Sequence, residues 1–250
     1  MKMAIRTLFI SDVHLGCRYA GSRELVELLD KIKKHPPEYI YIVGDFIDGW
    51  KFKRGWYWDN NANLVIQKLL KFAKQGVCIR LVIGNHDDFL RKFLEHRVTE
   101  FGNIHFADEF VHLTKDGRQL LVVHGDYFDL VAQYAKWVCW IGDWGYEVLM
   151  RINKVLNWFG RKLHMGHFSL SQKVKSNIKK AIQYISDYET YLAAYAEKKG
   201  FQGVICGHIH SACIKNIEGM EYYNCGDFLE SCTAIYEDMD GKLHLYKHFD

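Results

Sequence analysis

The sequence predicts an α/β fold, and three features carry that expectation. Short apolar runs alternate with amphipathic helical stretches through the first 125 residues. Five of the runs end in Asp, Asn or His. Strand-like runs joined by tight turns return after a long helical stretch near the C-terminus. Alternation of this kind builds a mainly parallel sheet whose faces are covered by helices.

The elements follow in order. Residues 5–10 form the first apolar run. Residues 22–34 place Leu25, Leu28, Leu29 and Ile32 on one helical face, with Ser22 as the expected N-cap. Residues 39–43 read as a second strand, 61–75 as a second helix, 77–83 as a third strand and 119–123 as a later one. From 129 to 199 strand signals stop. A stripe of Tyr134, Val138, Ile141, Gly145, Val148, Ile152, Val155 and Phe159 alternates steps of four and three. Trp137, Trp140 and Trp144 form a second stripe beside it, and a further helix covers about 171–199. Strands return at 203–206, 212–217, 221–225, 233–237 and 242–248, with Glu218-Gly219 and Asp240-Gly241 marking hairpins. The expected organisation is a core of residues 1–128 and 200–250, interrupted by a helical insertion at 129–199.

Composition narrows the classes of function. Lys and Arg number 33 against 30 Asp and Glu, a net charge of +3. A protein that coats nucleic acid needs a far more basic surface. The chain is 49% hydrophobic and 25% charged, which excludes a disordered one. Its seven Cys are scattered without a Cys-x-x-Cys pair, so reduced thiols in a cytosolic protein are expected. The first twelve residues have no signal-peptide layout, and no apolar stretch reaches the roughly 18 residues a membrane span needs. The expected location is cytoplasmic, with peripheral contact at the inner membrane surface.

The chemistry lies at the strand ends. Asp12-Val13-His14 follows the first run, Gly44-Asp45 the second and Gly84-Asn85-His86-Asp87 the third. His124-Gly125-Asp126 and Gly207-His208-Ile209-His210 follow two later ones. Ligands of α/β sheets gather beyond the carboxyl ends of strands. Glycine at four of these ends permits a sharp exit and leaves room for an ion or phosphate near the backbone. No Cys takes part, which argues against a closed structural zinc site. Carboxylate, amide and imidazole donors together suit Mn, Fe, Co or Zn. Seven candidate ligands, Asp12, His14, Asp45, Asn85, His124, His208 and His210, exceed the need of one ion and suit two sharing a carboxylate. His35, His96, His105, His112, His244 and His248 have no such context and read as ordinary residues. Asp48 reads equally as support for the site or as a turn cap. Asn224 and Asp227 read equally as structural or functional.

Taken together and in order, the five motifs resemble the calcineurin-like metallophosphoesterase superfamily. The resemblance spans the chain outside the insertion. It implies a four-layer αββα sandwich, here with the helical insertion as a lid. It implies two divalent cations, with Mn2+ the first expectation and Zn2+, Fe2+ or Co2+ also compatible. Asp12, His14, Asp45 and His210 would hold one and Asp45, Asn85, His124 and His208 the other. It further implies hydrolysis of a phosphate ester or pyrophosphate, with His86 donating to the phosphate or the leaving oxygen. Asp87 is the candidate to orient His86, and Asp126 to fix His124.

Within the superfamily the chain is similar to the UDP-2,3-diacylglucosamine diphosphatase group of lipid A synthesis. The run Gly44-Asp45-Phe46-Ile47-Asp48-Gly49-Trp50, the His124-Gly125-Asp126 element and the size and place of the insertion carry that likeness. It implies a lipid-linked sugar nucleotide as substrate, cleaved to UMP and a diacylated sugar 1-phosphate. That group's best-known members have Arg where this chain has His86. A phospholipid phosphatase, a nucleotide phosphodiesterase and a non-catalytic scaffold are the alternatives, and the intact ligand set argues against the scaffold. The aromatic surplus of the insertion is expected to meet acyl chains or a membrane interface. Ser171 and Lys175, in a run rich in hydroxyls and lysines, are candidate contacts for a second phosphate.

Overall fold

A computed structural model describes residues 4–128 and 170–250, with side chains described outside 128, 170–182 and 184. The strands are β1 (Ile5–Ile10), β2 (Tyr39–Val43), β3 (Cys78–Val82), β4 (Glu100–Phe101), β5 (Ile104–Ala107), β6 (Glu109–Leu113) and β7 (Gln119–Val123). They continue with β8 (Gly203–Cys206), β9 (Cys213–Ile217), β10 (Met220–Asn224), β11 (Thr233–Asp238) and β12 (Leu243–Lys247). The helices are α1 (Ser22–Ile32), α2 (Asn60–Lys74), α3 (Arg91–Glu95) and α4 (Leu170–Lys198).

These strands form two sheets. One runs β12-β11-β1-β2-β3-β5-β4, and the other β6-β7-β8-β10-β9. Strands β1, β2, β3 and β5 are mutually parallel, as are β7, β8 and β10. Period-two alternation along β1 and β2 sorts their side chains onto two buried faces. Phe9, Tyr41, Val43 and Val82 meet Leu120, Val122, Ile205 and Tyr223 of the second sheet. Leu8, Ile10, Ile40 and Ile42 meet Leu25, Leu28 and Leu29 of α1 and Val65, Leu69 and Phe72 of α2. Burial on both faces explains why these strands read as unbroken apolar runs. Each such side chain contributes about 1.5–3 kcal/mol when fully buried. The result is the α/β sandwich that the sequence implied.

Glu237 fastens the two sheets by polar contacts. From β11 its carboxylate accepts from Thr7 Oγ1 (2.8 Å), Arg6 Nη1 (2.9 Å) and the Lys115 backbone N–H (2.6 Å). His112 Nε2, on β6 of the other sheet, lies 2.9 Å from it. Every one of these groups would be costly to bury alone.

Three strands were not foreseen. β4 and β6 are edges of their sheets, and there Phe101, Val111 and Leu113 are exposed while His112 is buried. On an edge that faces water the apolar residues need not be the buried ones, so the in-out pattern that marks a strand is lost. Ser22 is also not a cap: it is the first residue of α1, after Gly21, and its hydroxyl reaches Asp59 at 3.4 Å. Asp59 in turn caps α2 by accepting from the Ala62 N–H at 2.8 Å.

The chain divides into two compact units, Met1–Asp126 with Leu192–Asp250, and Tyr127–Tyr191. All seven candidate metal ligands lie in the first. Most of the expected insertion, including both aromatic stripes at 134–159, lies outside the described residues. Ser171 and Lys175 fall on α4, and their side chains also lie outside the described residues. Among the described residues no helix is long and apolar enough to cross a membrane.

Candidate metal centre

The five motifs leave β1, β2, β3, β7 and β8 at their carboxyl ends, and adjoining backbones tie the exits together. The Asp12 N–H donates to the Gly44 carbonyl (3.1 Å), and the Gly207 N–H to that of His124 (3.3 Å). Asp12, His14, Asp45, His208 and His210 all have positive φ, between 51° and 69°. Non-glycine residues seldom adopt that conformation. It turns each side chain back over the strand ends, and surrounding hydrogen bonds hold it there.

Two groups of side chains result. Asp12, His14 and His210 form one, and Asp45, His124 and His208 the other; within each, the ligand atoms lie within 4.8 Å of one another. Asp45 stands between them. Its Oδ1 is 3.4 Å from His124 Nε2, and its Oδ2 is 3.7 Å from His14 Nε2. His208 Nδ1 is 3.3 Å from His124 Nε2. Asn85 is held beside Asp45 by its neighbour in sequence, whose N–H (His86) donates to Asp45 Oδ1 at 2.8 Å.

Three motif glycines serve the ligands directly. A Cβ on Gly44 would collide with the His124 ring, one on Gly84 with Asp45 Oδ1, and one on Gly207 with Asp12 Oδ2. The space that the sequence suggested for an ion or a phosphate is taken by the side chains themselves.

The donor set fits cations. Asp12 Oδ1, His14 Nε2, Asp45 Oδ2, Asn85 Oδ1 and His86 Nε2 are buried and have no hydrogen-bond partner among the described residues. Asp12 Oδ1 has ionic neighbours, His210 Nε2 at 3.1 Å and His14 Nε2 at 3.8 Å. Buried carboxylate oxygens in this state call for positive charge. Burial opposes ionisation of Asp12, but His210 and His14 outweigh it and hold the carboxyl well below its ordinary range. Burial opposes ionisation of Asp45 too, and His124 holds that carboxyl down. Burial works against a charged His124, yet Asp45 pushes its imidazole up to about 10. In a protein-only pocket the imidazole thus supplies the cation, and metal ions displace such protons when they bind.

Two expected supporting contacts are corrected. His86 is oriented by Asp48, not Asp87: His86 Nδ1 lies 2.9 Å from Asp48 Oδ1. The Asp87 carboxylate accepts instead from the backbone N–H groups of Phe46 (2.9 Å) and Ile47 (2.8 Å), shaping the loop after Asp45. Burial and the nearby Asp45 charge raise Asp87 to about 7. His124 is oriented by the Val43 carbonyl, to which Nδ1–H donates at 2.8 Å. Asp126 accepts from Arg91 Nη2 at 3.1 Å. The third cluster of potential ligands, His14, Asp48 and His86, contains this bonded Asp48–His86 pair. The indole of Trp50 covers His86, ring centroids 3.8 Å apart and planes 26° from parallel. Asn224 and Asp227 are structural. Asn224 Nδ2 donates to the Gly207 carbonyl (3.0 Å), and Asp227 Oδ1 accepts from the N–H groups of Leu229 and Glu230.

A family model described as calcineurin-like phosphoesterase matches residues 5–212. The chain belongs to this family. The family works through a dinuclear divalent metal centre, and the two ligand clusters of this chain fit that need. Curated relatives named UDP-2,3-diacylglucosamine hydrolase are similar to it. The protein of Porphyromonas gingivalis is 30% identical over 130 residues, covering 50% of this chain and 47% of that one. The Cellvibrio japonicus protein is 34% identical over 123 residues, covering 49% and 48%. The Aeromonas salmonicida protein is 26% identical over 221 residues, covering 83% and 78%. The phosphoesterase thus spans about half the length of the first two relatives.

Proposed function

We propose that this phosphoesterase hydrolyses the pyrophosphate of a lipid-linked sugar nucleotide, UDP-2,3-diacylglucosamine, to UMP and 2,3-diacylglucosamine 1-phosphate. The observation that carries the reading is the likeness to relatives bearing that name, in a chain that has all seven candidate ligands. Asp12, His14, Asp45 and His210 would hold one cation and Asp45, Asn85, His124 and His208 the other. When bound, two divalent ions, Mn2+ in the first instance, would supply Lewis acidity and compensate phosphate charge at this site. His86 contributes the proton: its Nε2 is free of hydrogen bonds among the described residues, and its Nδ1 is held by Asp48. Asp48 fixes the ring and compensates the imidazolium charge. Asp12, His14, Asp45, His124 and His208 are buried, which strengthens the interactions they make.

The deciding experiment incubates the pure chain, Mn2+ and UDP-2,3-diacylglucosamine, with chromatography for UMP. UMP release supports the reading, and its absence overturns it. One observation favours a second reading, a phospholipid phosphatase or nucleotide phosphodiesterase. His86 stands where the best-known diphosphatases have Arg. Turnover of bis(p-nitrophenyl) phosphate without UMP release would select that alternative.

A further inference from the structure

The loop between β2 and α2 is the most aromatic exposed surface of the first unit. Residues 50–58 read Trp-Lys-Phe-Lys-Arg-Gly-Trp-Tyr-Trp and contain no acidic residue. Trp50 is 63% exposed, Phe52 51%, Tyr57 45% and Trp56 40%. Side chains of this size normally seek cover, and a cluster of them in water marks an interaction site.

The cluster is ordered by its own contacts. Phe52 packs on Trp56 and on Phe89, with centroids 4.9 and 5.0 Å apart. Trp56 stacks on Trp58 at 5.2 Å, and a Cβ on Gly16 would collide with its ring. Trp58 Nε1–H donates to Asn63 Oδ1 at 2.8 Å. Trp50 lies flat on His86. The aromatic surface is therefore fixed at two points to the loops that carry the metal centre.

Charge says what kind of partner it fits. Lys53 and Arg54 are exposed beside the rings, Lys51 is half-exposed, and the Arg18 guanidinium sits 5.5 Å from the Tyr57 ring centre. The neighbouring carboxylates are engaged elsewhere. Asp48 holds His86, Asp59 caps α2, and Asp88 pairs with Arg91. Aromatic rings among unopposed cations match the boundary of an anionic bilayer, where rings enter the headgroup level and cations meet lipid phosphates. Bases of single-stranded nucleic acid need open ring faces, and here Trp50 and Trp56 each have a face already stacked.

We propose that residues 50–58 are a docking surface for an anionic lipid bilayer. Docking there brings the metal centre, joined to the loop through Trp50 and His86, to the lipid surface. A substrate carrying acyl chains would be met without leaving its membrane.

Sedimentation of the full chain with phosphatidylcholine vesicles, with and without phosphatidylglycerol, tests this. Binding is expected only with the anionic lipid and is expected to weaken as salt is added. Each cation near such a surface strengthens binding about fivefold, so Lys53→Gln with Arg54→Gln should weaken it about 25-fold. Phe52→Ser with Tyr57→Ser should weaken it as well. Both double variants should keep the circular dichroism spectrum and the Mn2+-dependent hydrolysis of soluble bis(p-nitrophenyl) phosphate. The proposal is overturned if the wild type ignores phosphatidylglycerol, or if the charge variant binds vesicles as the wild type does. It is also overturned if an oligonucleotide is retained as strongly and the aromatic variant changes neither interaction. The readout uses no lipid substrate, so it is independent of the proposed reaction.

Discussion

His86 Nδ1 lies 2.9 Å from Asp48 Oδ1, so the imidazole that follows β3 is oriented by a carboxylate that follows β2. Burial raises the pKa of Asp48, but the His86 contact outweighs it and keeps the carboxyl below its ordinary value. The pair sits against Trp50 and beside His14, whose ring centre is 4.5 Å from that of His86. The arrangement aims Nε2 at the space between the ligands, where Asp45 Oδ2 is 3.9 Å away.

Asp48 thus acts on turnover through His86. Asp48→Asn preserves the shape of the side chain and removes its charge. It is expected to lower kcat about 10–100-fold with KM and bound metal unchanged. His86→Ala is expected to cost more, about 10²–10⁴-fold, again with metal retained. Steady-state kinetics beside elemental analysis checks both. Loss of metal from either variant would show that these residues are ligands and not the acid and its support.

The glycine contacts give a prediction at residues that touch no substrate. In Gly84→Ala the new methyl group must displace Asp45 Oδ1 or the backbone that carries it. A shift of about 1 Å in a reacting constellation is enough to cost about 100-fold in rate. Bound metal should fall in step with activity, while circular dichroism stays that of the wild type. Normal metal content and activity would mean that Asp45 can relax at no cost.

Much of this architecture is legible in the chain because both faces of β1, β2 and β3 are buried, leaving near-continuous apolar runs with ligand motifs at their ends. What was misread depends on long-range geometry. Asp87 adjoins His86 in sequence, but its carboxylate turns towards the N–H groups of Phe46 and Ile47. Asp48 is 38 residues away and reaches the imidazole. Spacing within a motif cannot show which of two carboxylates a folded loop brings round. The two-residue step from Asp48 to Trp50 was the available signal, since both contact His86. The edge strands β4 and β6 were missed for a different reason, because exposure removes the alternation that identifies a strand.

Metal should support the fold as well as the reaction. Asp12 and Asp45 are fully buried, and each has a carboxylate oxygen without a hydrogen bond among the described residues. A cation at about 100 times its dissociation constant stabilises the native state by about 2.7 kcal/mol. At about 2–4 °C per kcal/mol for a chain of this size, Mn2+ should raise Tm by about 5–10 °C over the chelator-treated protein. His124→Ala should remain folded, lose Mn2+-dependent hydrolysis and show a smaller thermal shift. Differential scanning calorimetry with and without chelator reads the effect. An unchanged Tm in the wild type would count against a cation bridging these carboxylates.

Glu237 gives a pH dependence far from the strand ends that carry the ligands. Its side chain is fully buried between the sheets. Burial raises the carboxyl, but the contacts from His112, the Lys115 N–H and Thr7 outweigh it, so Glu237 lies below its ordinary value of 4.5. A carboxyl whose pKa is lowered by folding adds stability that is fully present above the unfolded value. That stability is lost as pH falls through the folded value. Glu237→Gln keeps the volume but removes the buried carboxylate that Arg6 and His112 face, leaving Arg6 only the more exposed Glu38, at a cost of about 3 kcal/mol. At neutral pH its Tm should be about 6–12 °C below that of the wild type. The gap should narrow as pH drops from about 4.5 towards 3, because the wild-type carboxylate is then protonated as well. Thermal unfolding across that range checks the sign, and a gap that widens on acidification would show that Glu237 is held neutral in the folded protein.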